Sequence, residues 1–439
     1  MKPGPAPRPR GEPPVGAAWA WYLMPRPVFS GENRVALLRG GGELFPAMCR
    51  AFASARHEIW LASYILHGDA AVMPVIAALE AAARRGVRVR VVLDGFGSGR
   101  ALEQLSDRLI EAGVALGVFR PLSRWTHWLQ PSQLRRMHMK VCVVDGEAAF
   151  IGGINLIDDR YDLNHGHTEM PRLDFAVAVQ GRVVLPMEQA VRAVWLRASF
   201  GQDWREEVRE LLRGPNRLAQ MQALLGQLRL SGWRHPAELS MRPVRAAFVV
   251  RDNLRQRRTI ERAYTEVIRS ARRRIWLVTP YFYPGGEFRR ALIDAARRGV
   301  EVRLLLQGKV DYRLAALAAR VLYEGLLRHG VRIHEYTPAF LHAKVAVIDD
   351  DWATVGSSNI DPLSLLLNLE ANLIVDDAIF NARLSAELDL AFAASRQIDP
   401  AEELTTRWPG RWGRRIGHTL VTWLARLYLR VGGAGRHRY

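Results

Sequence analysis

Hydrophobic and polar positions along this chain fall into a repeating order of elements. Residues 33–38 read as a short strand closed by the glycines at 40–42, and helical spacing then carries 43–56. Branched and aromatic residues at 59–65 predict a strand. An apolar stripe predicts a helix over 70–85 ending at Gly86, an alternating strand follows at 87–93, and a second helix at 101–111 stops near Gly113. Strand, helix, strand, helix at these lengths implies βαβ units and a largely parallel sheet.

The same order then recurs. SARHEIWLASY, from Ser54, matches SARRRIWLVTPY, from Ser270, and AARRGVRVRVVLDG, from Ala82, matches AARRGVEVRLLLQG, from Ala295. The copies lie 216 positions apart at Trp60 and Trp276, 213 apart at Gly86 and Gly299, and 204 apart at His138 and His342. A period that long means a duplicated domain with shorter loops in the second copy, not a solenoid. The expected organisation is a basic, proline-rich disordered tail over 1–30, a first α/β domain over 31–200, a helical connector over 201–243, a second α/β domain over 244–400, and a basic tail over 401–439.

Within each copy one stretch stands out. His138 to Asp145 reads HMKVCVVD and His342 to Asp349 reads HAKVAVID, both of the form HxKxxxxD. Gly152, Gly153 and Asn155 follow the first; Gly356, Ser357 and Asn359 follow the second, with 17 positions from histidine to asparagine in both. Side chains on a strand alternate faces, so each histidine shares a face with its lysine. Asp145 has the opposite parity and falls in an Asp-Gly turn, and Asp349 is placed similarly. The motif counts both aspartates with the catalytic set, while parity favours bracing of the turn or an adjacent backbone.

One imidazole and one ammonium per copy, doubled, suit phosphoryl chemistry. A neutral histidine nitrogen attacks phosphorus to give a covalent intermediate. A second, protonated histidine feeds the leaving oxygen its proton and later takes one from the incoming alcohol. Lys140, Lys344, Asn155 and Asn359 are placed to stabilise charge on the equatorial oxygens. Asp174, in RLDFAV, and Glu370, in LNLEANL, are candidates to fix the imidazole tautomers. No HExxH, paired CxxC or Asp-rich loop is present, so neither a metal nor another cofactor is expected, and GFGSG at 95–99 reads as a turn.

Composition narrows the partner. The net charge of +18 favours an anionic surface, either nucleic acid or an acidic membrane. Nearly all of that charge is arginine; the lysines are Lys2, Lys140, Lys309 and Lys344, and two of these four lie in the repeated motif. Lysine is a compact point charge that approaches a single phosphate oxygen. Cys49 and Cys142 define no disulfide framework, which fits a reducing compartment. No run of ~20 apolar residues marks a membrane span, and AAWAWYLM lacks the cleavage site of a signal peptide.

The two copies resemble the HKD motifs of the phospholipase D superfamily. Runs such as RRMHMKVCVVDGEAAFIGGINL and WATVGSSNIDPLSLLLNLEAN extend the resemblance to bacterial cardiolipin synthases of the B type, over residues 31–400. The resemblance implies a duplicated phospholipase D-like α/β fold, each half a mixed or mostly parallel sheet flanked by helices. It implies one metal-independent active site at the interface of the halves, with His138 as nucleophile and His342 as acid and base. It also implies that Glu370 orients the second histidine and that Asp174 is its counterpart in the first half.

The implied reaction moves a phosphatidyl group between phosphatidylglycerol molecules, giving cardiolipin and glycerol. The alternative is a phospholipase D-type phosphodiesterase hydrolysing phospholipid or nucleic acid. The expected partner is an anionic phospholipid membrane rather than nucleic acid, contacted peripherally at the cytoplasmic face of a bacterial inner membrane. Residues 120–136, with Trp125 and Trp128 among arginines, and 407–430, with Trp408, Trp412 and Trp423, qualify as interfacial anchors. The arginine-rich helices over 202–239 either pack on the surface or share that contact.

Overall fold

The computed structural model describes residues 20–121, 135–199, 243–309 and 320–401, except positions 164, 253–254, 321, 362–363 and 365–367. The helices expected over 202–239, Trp125 and Trp128, and the stretch 407–430 expected to anchor lie outside the described residues.

The first half contributes β1 (Ser30–Arg39), β2 (Glu58–Ser63), β3 (Arg88–Asp94), β4 (Ala115–Phe119), β5 (Val141–Val144) and β6 (Ala148–Gly152). A small hairpin, β7 (Tyr161–Asp162) and β8 (Gly166–His167), precedes β9 (Phe175–Gly181). The second half contributes β10 (Val244–Arg251), β11 (Arg274–Val278), β12 (Glu301–Gln307), β13 (Arg332–Tyr336), β14 (Val345–Ile348), β15 (Trp352–Gly356), β16 (Glu370–Asp376) and β17 (Arg396–Gln397).

Apart from the hairpin, these strands form one continuous sheet. Its order is β4-β3-β2-β5-β6-β9-β1 for the first half, then β10-β16-β15-β14-β11-β12-β13, with β17 at the far edge. The halves therefore meet strand to strand, with β1 antiparallel to β10. Asn33 seals this seam: its side chain donates to Val244 O at 3.2 Å and accepts from Val183 N at 2.8 Å. Among the named strands, parallel pairing is confined to β2-β3-β4 and β11-β12-β13, the βαβ units read from the sequence. The strands that follow the motifs pair antiparallel, which makes the sheet mixed.

Helices cover both faces. On one, α1 (Gly40–Ser54), α2 (Met73–Arg84) and α3 (Gly99–Glu111) belong to the first half. Leu44, Phe45, Met48 and Phe52 of α1 are buried on one stripe, the helical spacing that a core-facing helix needs. The opposite face carries α4 (Val184–Ser199), while α5 (Thr259–Ser270), α6 (Gly286–Arg297) and α7 (Ala378–Ala393) follow in the second half. Side chains of α4 and α7, including Val191 and Leu384, share one apolar core spanning both halves. Two further cores, one per half, fill the other face. No helix among the described residues is long and apolar enough to cross a membrane. Residues 22 and 24, expected within the disordered tail, are tied to the second half, where Gln256 donates to the Tyr22 and Met24 carbonyls at 2.6 and 2.8 Å.

Candidate active site

Residues 138–140 and 342–344 run extended just ahead of β5 and β14 rather than inside them. Each segment is pinned by the other half. Met137 bridges Leu369, with His138 N donating to Leu369 O at 2.9 Å. In the mirror arrangement Leu341 bridges Leu173, with His342 N donating to Leu173 O at 2.9 Å. The backbone carrying each histidine thus lies against the backbone just before the opposite half's carboxylate.

The pairs are therefore crossed. His138 Nδ1 is 3.1 Å from Glu370 Oε2, and His342 Nδ1 is 2.6 Å from Asp174 Oδ2. This corrects the expectation that Glu370 serves the second histidine and Asp174 the first. The reason lies in the bridges: with 173 beside 341 and 369 beside 137, each carboxylate falls next to the histidine of the other half. With Nδ1–H given to a carboxylate, Nε2 is left as the reactive nitrogen.

Each carboxylate is itself held. Glu370 Oε2 accepts from Ser357 Oγ at 2.6 Å, and Asp174 Oδ1 accepts from Phe175 N at 2.8 Å. Gly153 and Ser357 occupy equivalent positions with opposite jobs. Ser357 donates a hydrogen bond, whereas a Cβ on Gly153 would fall 2.3 Å from Asp174 Oδ1. The small-residue turn after the first motif is needed for clearance.

The lysines complete the centre. Lys140 Nζ donates to His138 O at 2.7 Å, and Lys344 Nζ donates to His342 O. The Tyr64 ring packs edge-on against His138, centroids 4.8 Å apart, and lies 5.4 Å from Lys140 Nζ. Asn155 and Asn359 are buried, and the Oδ1 of each lacks a hydrogen-bond partner.

Asp145 and Asp349 stand apart, at the far ends of β5 and β14. Asp145 accepts from Arg56, His57 and Glu58 N, each at 2.8 Å, and Asp349 accepts from Arg272, Arg273 and Arg274 N. Counting them with the catalytic set is corrected: their oxygens are spent on backbone amides at a turn, as strand parity indicated. Asp145 and Gly146 both have positive φ, the geometry of a tight hairpin turn.

Two stretches, 48–168 and 264–391, match the family described as cardiolipin synthase, PLD-like domain. The chain belongs to this family. It is 36% identical to cardiolipin synthase B of Escherichia coli K12 over 382 residues, covering 84% of this chain and 82% of that protein. It is 38% identical to cardiolipin synthase B of Salmonella typhi, covering 81% and 79%. The phosphatidylserine synthase of Haemophilus influenzae has the same fold, with a TM-score of 0.61 at 13% identity, covering 91% of this chain and 94% of that one.

In this member of the cardiolipin synthase family the centre is crowded with cations. Burial and Lys344 press Lys140 down to about 7, and burial lowers Lys344 to about 8. Burial lowers His138, and burial with Lys344, Arg172, Lys140 and His138 holds His342 well below its ordinary value. The carboxylates respond differently. Burial pushes Asp174 up to about 7. Burial also works to raise Glu370, but His138, Lys140 and the Ser357 hydroxyl outweigh it and hold that carboxyl low. Tyr64, Ser357, Asn368 and Arg172 were not singled out as site residues from sequence. Laying the repeats over one another at Leu173 and Leu369 would have shown that Arg172 and Asn368 are counterparts.

Proposed function

We propose that this protein is a phosphatidyltransferase that joins two phosphatidylglycerol molecules into cardiolipin and releases glycerol. The observation that carries the reading is the crossed pairing, which builds one centre of two histidines and two lysines from both halves. Relatives named cardiolipin synthase B, similar over most of the chain, support the choice of lipid.

In this reading His138 Nε2 attacks the phosphorus of the first phosphatidylglycerol. A P–N bond forms, the P–O bond to glycerol breaks, and the glycerol oxygen takes a proton from His342. The hydroxyl of the second phosphatidylglycerol then gives its proton to His342 and attacks phosphorus, and His138 recovers its electron pair. Lys140, Lys344, Asn155 and Asn359 stabilise the equatorial oxygens. Ionised Glu370 holds the Nδ1–H of His138, which suits the nucleophile. Asp174, with its raised pKa, keeps a proton in the His342 pair near neutral pH, which suits the acid.

An arriving phosphodiester supplies negative charge beside the two buried lysines, so substrate binding itself restores protons to the site. The protein works peripherally at the cytoplasmic face of a bacterial membrane, with the aromatic and basic stretches at 120–136 and 407–430 as its contacts. Incubation with phosphatidylglycerol vesicles in EDTA tests the reading. Cardiolipin and free glycerol in equal amounts are expected; cleavage of DNA without cardiolipin would refute it.

A further inference from the structure

The two halves match strand for strand, so each residue around the site has a counterpart, and the two rims differ. Register fixes the equivalences. Asp94 pairs with Phe119 and Gln307 with Tyr336 in the corresponding strands, so Asp94 and Gln307 are counterparts, as are Arg120 and Thr337. Asp94 and Gln307 each hold the residue just before a motif histidine. Asp94 Oδ2 accepts from Met137 N, and Gln307 Oε1 accepts from Leu341 N, each at 2.9 Å. By the same register Arg136 corresponds to Phe340. Arg251, opposite Glu370 on β16, corresponds to Gly40, which donates to Asp174 O at 3.0 Å.

Both sides carry a cation close to the centre, with Arg172 beside His342 and Lys344, but the His138 side carries two arginines. On the His138 side stand Arg136 and Arg251. Arg136 donates to Arg120 O at 3.0 Å and lies 3.6 Å from buried Asp94. Arg251 is only 2% exposed; its Nη1 donates to Asn368 O, and its Nε is buried without a hydrogen-bond partner. Asn368 links the two arginines to the centre, accepting from Arg136 N at 3.4 Å and reaching Glu370 at 3.5 Å. Burying a guanidinium with an unpartnered N–H is unfavourable unless an anion takes it up. Burial, although eased by Glu370 and Asp252, lowers Arg251 to about 9.

The reaction proposed above joins two phosphodiesters one glycerol bridge apart. The histidines and lysines receive one of them, and a planar guanidinium fork is the group that best grips a second. We propose that Arg251 and Arg136 hold the phosphodiester of the second, acceptor phospholipid. This inference rests on the phosphatidyltransferase reading and names the acceptor subsite within it.

The test compares two acceptors in the same protein. Phosphatidylglycerol vesicles are supplied with radiolabelled glycerol, and labelled phosphatidylglycerol (neutral acceptor) is measured beside cardiolipin (anionic acceptor). In Arg251→Gln and Arg136→Gln the ratio of cardiolipin to labelled phosphatidylglycerol should fall about tenfold, the loss of one charge-assisted contact. Arg251→Lys, which keeps the charge but not the fork, should lie between. A ratio unchanged from wild type in both glutamine variants would overturn the proposal while leaving the reaction intact. Wild-type protein making neither product would instead defeat the phosphatidyltransferase reading. Thermal unfolding is followed in parallel. Should Arg251→Gln lose the fold, Arg136→Gln, nearer the surface, decides by the same ratio.

Discussion

Glu370, from the second half of the chain, lies 3.1 Å from Nδ1 of His138 in the first, and Asp174 returns the contact from the first half to His342. Neither half alone therefore holds an oriented imidazole. Because each pair serves a different histidine, the two carboxamide variants should respond differently to the leaving group. With glycerol leaving, both Glu370→Gln and Asp174→Asn should slow formation of the phosphohistidine by about 10²–10⁴-fold, but with nitrophenolate leaving, which needs no proton from His342, only Glu370→Gln should stay slow. Rapid-quench measurement of the intermediate with the two leaving groups separates them; identical effects with both would remove the division of labour.

Anion binding should take up protons. Lys140, near 7 in the free protein, must be charged to hold a phosphate oxygen, and the phosphate in turn raises it. Affinity for a soluble phosphodiester should be greatest below that value and weaken by up to about tenfold per pH unit above it. Calorimetric titration in two buffers of different ionisation enthalpy reads the uptake directly. Binding without proton uptake near pH 7.5 would mean that the lysines are already charged.

Asp145→Ala removes the acceptor for three amides at the start of β2. Two of these reach water, so the cost should be about 1.5–3 kcal/mol, seen as a lower unfolding midpoint. Turnover per folded molecule should change little, because the carboxylate is remote from the histidines. A large loss of turnover with an unchanged midpoint would return Asp145 to the catalytic set.

Gly153→Ala presents the opposite case. The added Cβ would press on the Asp174 carboxylate at 2.3 Å, displacing the group that orients His342. Transfer to the acceptor should fall by about tenfold or more while the unfolding midpoint moves by only a few degrees. Gly152→Ala should mainly destabilise, since its Cβ would meet Phe175 O at 2.4 Å, an atom of the sheet backbone.

Much of this site was legible because the chain states it twice. The duplicated His-x-Lys pairs, the Asn at fixed spacing and the bracing role of Asp145 follow from period and parity within one segment. The crossed carboxylates were not legible. Which half supplies the partner of His138 is decided by the β1–β10 seam and the Met137–Leu369 bridge, and strand periodicity carries no information about either. The single continuous sheet was hidden for the same reason. Arg251 was missed because its meaning lies in contrast with Gly40, a contrast that appears only when register sets the two positions side by side.

The central claim is that His138 carries the phosphatidyl group. The direct measurement is intact-protein and peptide mass spectrometry of the His342→Ala variant after brief exposure to a phosphatidyl nitrophenyl ester, whose leaving group needs no proton. With a leaving group that needs no proton and no base to serve the second step, a phosphatidyl adduct should accumulate on the peptide containing His138 and be absent from His138→Ala. An adduct on any other residue, or cardiolipin formed by His138→Ala, would contradict the account.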